Sequence, residues 1–418
     1  MARIVITTFG SFGDVNPYIG LGLELQRRGH HPLLAMPGIF REPVEREGLA
    51  FAAVRPDLDP DDAALTARIM DSARGPETLF TELLVPHLQA SYDDLGAAAE
   101  GADLIVTHPA SMVGPILAQK RQLPWASSVL APLSFFSVSD PMVPPPAPWL
   151  HPLLVRSRAA SRAFGWMSDR ITRRWVAPVQ RFRAALGLPE GANPVLAGQH
   201  SPQLVLALFS RVLADPQPDW PAHTVVAGPI LFNGAATPEA SAELVRFLAE
   251  GDPPIVFTLG TSAVEAAGSF YDVSAEAARR LSRRAVLLVG RHARNRPRAT
   301  GPDVLAVDYA PHAALFPRAA AIVHQGGAGT LHQALLAGRP TLVVPHAHDQ
   351  PDNAHRVERL GISRTVYPTR YTVPAVERAL GDLLVDGPFA ARAREVGAVV
   401  SAERGASSAA DALDRLLG

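Results

Sequence analysis

The chain has 418 residues, 47% hydrophobic and 19% charged, which predicts two or three domains, or one large α/β domain, and excludes long unstructured regions. Its 39 basic and 40 acidic residues leave a net charge of −1, so no overall positive field exists to hold a phosphate backbone, and nucleic acid is not an expected partner. The lack of cysteine removes disulfides, thiolate metal sites and a cysteine nucleophile. Lys120 is the sole lysine, which reads as GC-rich, bacterial codon usage.

At the N-terminus one basic residue leads straight into Ile4-Val5-Ile6 and a Gly/Ser loop, without the longer apolar segment of a signal peptide. This predicts a first strand. Pro124 and Pro132 break the uncharged stretch 123–139, so no integral membrane segment is expected and the protein reads as cytoplasmic. Short apolar runs at 4–8, 33–36, 104–107, 127–131 and 204–209 have the pattern of buried parallel strands, with a helix over 20–29 stopped by Gly29. The same pattern restarts at Pro254, with strands near 285–289, 304–307, 321–323 and 342–345. Two doubly wound halves are predicted, joined through turn-rich stretches at 214–221 and 232–238. The proline-rich segment 140–152, with Trp149, is either a surface connection or a wall of a ligand pocket.

The most informative segment is His324-Gln325-Gly326-Gly327-Ala328-Gly329-Thr330, after a strand and opening a helix. Clustered glycines let backbone N–H groups approach an anion, and the helix dipole favours it, so a phosphate or diphosphate fits there. A tight helix–strand turn is the competing reading. The loop is neither a Walker A sequence nor a nicotinamide fingerprint. Twenty residues on, Pro345-His346-Ala347-His348-Asp349-Gln350-Pro351-Asp352-Asn353 ends a strand in a polar cluster suited to sugar hydroxyls at the ligand crevice of an open sheet. Asp57-Leu58-Asp59 has a D-x-D form, but lies among further aspartates and reads as a solvated, helix-starting loop. His346, His348, Asp349 and His355 lack a metal-binding spacing.

The stretch from Tyr309-Ala310-Pro311-His312 through the glycine loop, Gln333, Gly338-Arg339-Pro340 and Asp349-Gln350-Pro351-Asp352-Asn353-Ala354 resembles the donor signature of the family 1 glycosyltransferases. Gly10-Ser11-Phe12-Gly13-Asp14-Val15-Asn16-Pro17 is similar to the acceptor-side loop of the bacterial branch, which includes antibiotic, sterol and rhamnosyl transferases. The resemblance implies the α/β GT-B fold: two facing Rossmann-like doubly wound domains with a cleft between them. Residues 1–232 would bind acceptor and 233–400 the nucleotide sugar, while 401–418 would form a helix crossing back to the N-terminal domain.

Carried over by position, Tyr309 would stack on the base, where the family usually has Trp. Thr261, Gln325, Gly326, Gly327, Gly329 and Thr330 would hold the diphosphate. The family commonly places a His at the position of Gln325, for which His324 is the neighbouring substitute. Gln333 stands where plant members carry a ribose-binding Glu, leaving UDP and dTDP both open. Asp349 and Gln350 would bind the sugar. Asp14 matches the general base, with an N-cap as its competing reading. His108 falls where relatives place the Asp that partners a catalytic His, so the pair would be reversed. Ser11, Phe12, Phe135, Phe136 and Trp149, with Trp166 beyond, suit an acceptor pocket. The implied reaction is inverting transfer of a hexose to a hydroxyl of a small lipophilic molecule such as a polyketide, sterol, phenolic or hydroxy-lipid, by a monomer or homodimer without metal or cofactor. A nucleotide-sugar 2-epimerase of the same fold and a metal-dependent hydrolase using His346 and His348 are the alternatives.

Overall fold

A computed structural model describes residues 1–57, 59, 62–234, 241–298, 301–385 and 387–418. Leu58 and Asp61 of the acidic loop and residues 235–238 of the second turn-rich stretch lie outside them. The chain divides into two compact units: Met1–Asp62, Ala73–Phe232 and Glu403–Gly418 in the first, Ala63–Ser72 and Asn233–Ala402 in the second. The division by sequence left 63–72 with the N-terminal part. In the structure the helix Ala63–Ile69 packs on the 3-10 turn Ala263–Ala266, and Met70 joins the core of the second unit.

In the first unit β1 (Arg3–Thr7), β2 (His31–Met36), β3 (Ala50–Ala53), β4 (Leu104–Thr107), β5 (Trp125–Val129), β6 (Val205–Ala207) and β7 (Thr224–Val226) form a parallel sheet in the order β3-β2-β1-β4-β5-β6-β7. In the second, β8 (Ile255–Thr258), β9 (Ala285–Leu288), β10 (Val304–Val307), β11 (Ala321–His324), β12 (Thr341–Val343) and β13 (Ser363–Thr365) form another, ordered β10-β9-β8-β11-β12-β13. Alternate side chains of β8 feed opposite cores, Ile255 and Phe257 one and Val256 the other. Both faces are covered, which is why these strands read as continuous apolar runs rather than alternating ones. Each order reverses once, between β1 and β4 and between β8 and β11. At such a reversal the connections leave in opposite directions and open a crevice beyond the strand ends.

The first helix, Phe12–Arg27, starts eight residues before the predicted one. Ser11 caps it, and Pro17 lies inside its second turn, where it leaves the Gly13 carbonyl without an i→i−4 donor. Glu403–Gly418 pack in the first unit, where Arg28 bonds Asp411 and Asp414 at 2.6 and 2.8 Å. Among the described residues, no helix is long and apolar enough to cross a membrane.

Candidate functional site

The second-unit crevice is framed by the loops after three neighbouring strands, β8, β11 and β12. After β8, Gly260 adopts φ +65°, its N–H donating to Thr258 Oγ1 at 3.2 Å, and a Cβ there would lie 2.3 Å from Gln325 Nε2. Only glycine leaves that space. After β11, Gly326 (φ +91°) turns the chain and Gly327 begins the helix Ala328–Ala337 without a side-chain cap. The first-turn amides are therefore left for an anion, with the helix dipole behind them. Gln325 is buried, its Nε2 donating to Thr330 Oγ1 at 3.4 Å and its Oε1 left without a partner. Gly329 and Thr330 lie in the first turn, and Thr261 is exposed beside Gly260.

His324, expected among the donor contacts, lies under the glycine loop. It is fully buried, and its Nδ1 accepts from the Gly326 N–H at 3.0 Å, so it braces the loop from beneath. Burial, with the field of His312, pushes its pKa down to about 3, so it is a neutral support and no phosphate cation.

After β12, Asp349 precedes the helix Gln350–Arg359. Asn353 donates from Nδ2 to both the Gly326 carbonyl (2.9 Å) and Asp349 Oδ2 (2.8 Å), tying the glycine loop to that carboxylate. Gln350 Oε1 accepts from the N–H groups of His346 (2.8 Å) and Ala347 (3.3 Å), so its carbonyl shapes the loop. Gln333 Nε2 donates to Asn233 Oδ1 at 2.6 Å, and Tyr309 leaves 57% of its surface open, enough for a stacking partner. The donor motif contains Asn353 without giving it a role, and the sequence does not mark Asn233 at all. The first has a signal, its i+4 position from Asp349 on a helix; the second has none. His346 Nδ1 bonds the Val344 carbonyl, and among the described residues no group of three or more His, Asp or Glu is arranged to hold a metal ion.

In the first unit the loops after β1 and β4 flank the order reversal. Asp14 is not the N-cap: Ser11 is. The Asp14 carboxylate reaches back from the third helical position to accept from the Ser11 N–H (2.8 Å) and Oγ–H (3.0 Å), a capping box. Gly10 makes room for it, since a Cβ there would meet Asp14 Oδ2 at 2.4 Å. His108 Nδ1 accepts from the Ala110 N–H at 3.2 Å, which leaves the neutral ring its proton on Nε2. Burial lowers the His108 pKa, and the nearby Asp14 carboxylate opposes that shift.

Ala110 also lines a small pocket of about 30 Å³, walled by Phe9, Val54, Leu84, Leu88 and Met112. Hydroxyls around it are engaged: Thr7 with Ser111 at 3.2 Å, Ser91 with the Arg55 carbonyl at 2.6 Å, Thr8 with the Asp14 carbonyl at 3.3 Å. Arg55 lines it too, its guanidinium paired with Asp94 at 2.7 Å. The residues expected to form an acceptor pocket do not line this one. Phe135 stacks on Trp220 at 4.2 Å in the core, Phe12 meets Phe40 edge-on at 5.2 Å, Phe136 is half-buried in a left-handed turn, and Trp149 is 76% exposed. Ser11 is taken up by the capping box.

Residues 275–414 match the family model for the C-terminal domain of erythromycin biosynthesis protein CIII-like proteins. The chain is 33% identical to the O-mycaminosyltylonolide 6-deoxyallosyltransferase of Streptomyces fradiae over 97% of its own length and 96% of that protein. The crystal structure of the glycotransferase of kitacinnamycin superposes with a TM-score of 0.73 at 22% identity, covering 100% of this chain and 99% of that one. That of glycosyltransferase VinC in complex with dTDP gives 0.68 at 22% identity, covering 99% of each chain.

Proposed function

The chain belongs to the glycosyltransferase family of these antibiotic-biosynthesis enzymes, and from that premise we propose that it moves a hexose from a UDP- or dTDP-sugar to a hydroxyl of a small lipophilic acceptor, with inversion and without a metal ion. The observation that carries this reading is the glycine loop after β11, whose uncapped helix amides lie one asparagine away from the Asp349 carboxylate. Amides and a helix dipole can stabilise the diphosphate leaving group as the anomeric bond breaks, the part a divalent cation plays elsewhere. Asp349 then takes sugar hydroxyls, and Tyr309 the base.

On the acceptor side, the apolar side chains Phe9, Val54, Leu84, Leu88 and Met112 near the loops after β1 and β4 favour a lipophilic body. Asp14 is the base of this reading, since an ionised carboxylate only accepts while His108 Nε2–H only donates. It removes the acceptor proton as the oxygen attacks the anomeric carbon, and the nucleoside diphosphate leaves.

The first test is thermal. UDP or dTDP should raise the melting temperature with a chelator present, by a ligand linkage of about 2.7 kcal/mol at a hundredfold excess over Kd. A shift seen only with a divalent ion would sink the donor assignment. Transfer to a panel of apolar alcohols, with the anomeric configuration of the product read by NMR, tests the acceptor half.

A further inference from the structure

The first unit carries an apolar surface apart from the pocket lined by Ala110. Trp149, Leu153, Val155, Trp166, Met167 and Ile171 are all exposed, Trp166 by 65%. They come from consecutive elements: the 3-10 turn Pro148–Leu150, the helix His151–Arg156, and the helix Arg158–Trp175 that packs on it. On the longer helix Ala159, Ala163, Trp166, Met167, Arg170 and Arg174 are spaced by 4, 3, 1, 3 and 4 along one helical face, flanked by the equally exposed Arg158, Arg162, Ile171 and Arg173. A stripe of that spacing ordinarily meets a core. Here the buried positions are instead Ser161 and Thr172, and the aromatic side faces solvent.

Charge separates this face from the rest of the chain. Residues 149–175 hold six arginines, all exposed, against the single carboxylate Asp169, in a chain whose net charge is −1. Asp169 is paired with Arg173 at 2.6 Å, and the Arg170 guanidinium lies over the Trp166 ring at 5.3 Å.

The geometry points to this face as a docking surface for an anionic lipid bilayer. Indole rings sit at the headgroup level, short aliphatic side chains enter the acyl boundary, and arginines reach lipid phosphates on long stems. A second copy of the chain fits less well, because a two-fold contact would set this arginine surplus against itself. A nucleic acid would take the arginines and leave the tryptophan stripe without a partner.

The test is co-sedimentation with vesicles of phosphatidylcholine alone and with phosphatidylglycerol added. Binding should require the anionic lipid, weaken with salt, and fall about fivefold for each of Arg162→Gln and Arg170→Gln. Trp166→Ser with Met167→Ser should lower it at least as much. All four positions are exposed, so melting temperature should stay unchanged, and the nucleotide-induced shift belongs to the other unit. Absence of binding to anionic vesicles overturns the proposal. So does binding that survives the Trp166/Met167 change and is matched by a duplex oligonucleotide, which would make the face a general polyanion site. A dimer that dissociates on Trp166→Ser, without vesicle binding, would assign the face to self-association.

Discussion

Asp14 does two things at once, and the two can be separated by substitution. Asn at position 14 keeps an oxygen for the Ser11 N–H and hydroxyl, so Asp14→Asn should retain the fold and nucleotide binding while lowering transfer about 100-fold to 10,000-fold, the usual worth of a general base. Ser11→Ala removes the cap and keeps the carboxylate. It should cost about 1 kcal/mol of stability and leave kcat within about tenfold. If Ser11→Ala slows transfer as much as Asp14→Asn, the carboxylate matters for positioning the helix and not for proton removal. The family resemblance marks Asp14 and His108 as a pair of interest, yet sequence cannot tell which residue caps the helix, because Ser11 and Asp14 both suit a helix start and only the turn geometry chooses. Nor can it see that Phe135 stacks on Trp220, eighty-five residues away.

The glycine loop tests itself at the level of the element. Gly327 has φ −64°, ordinary for any residue, and a Cβ there would meet only Gln325 Nε2, at 3.0 Å. Gly327→Val should therefore fold and lose nucleotide affinity by at least tenfold, read by titration calorimetry. Gly260→Ala differs, because φ +65° and the 2.3 Å approach to Gln325 strain the backbone and displace the glutamine together. It should lower both stability and affinity. Equal affinity in a folded Gly327→Val would mean that the loop is only a turn. The long, doubly covered strands of both sheets are legible as apolar runs, but β3, β7 and β13 are not. They are edge strands of three or four residues with half-exposed side chains, and packing against β2, β6 and β12 defines them more than their own composition does. The helix Phe12–Arg27 was hidden for the opposite reason, since Gly13 and Pro17 read locally as loop.

At the scale of the molecule, two doubly wound units follow from the restart of the strand pattern at Pro254, whereas the transfer of Ala63–Ser72 to the second unit rests on distant packing that no local pattern encodes. Buried histidines give the whole chain a pH limit. His200, His312 and His332 have pKa values pushed down to about 4 by burial, and His324 to about 3, and their ordinary value is near 6.5. Below pH 6.5 the unfolded chain takes up protons that these folded imidazoles refuse. Unfolding then binds protons, so stability falls as pH falls through the window from about 6.5 to about 4, and this source adds little further loss below that. Each such group is worth about 3 kcal/mol at the acid end of the window. Three of the four lie in the second unit, so the acid-linked loss falls mainly there. The second unit should therefore melt first on acidification. Calorimetry from pH 7 to 4.5 should show one transition dropping steeply while the other moves less, and nucleotide should shift the acid-sensitive one, because the glycine loop braced by neutral His324 belongs to it. A melting temperature flat between pH 7 and 5 would mean that the folded imidazoles take up protons as readily as those of the unfolded chain. The support beneath the glycine loop would then become an imidazolium below about pH 6.5, and the donor site would gain a positive charge there.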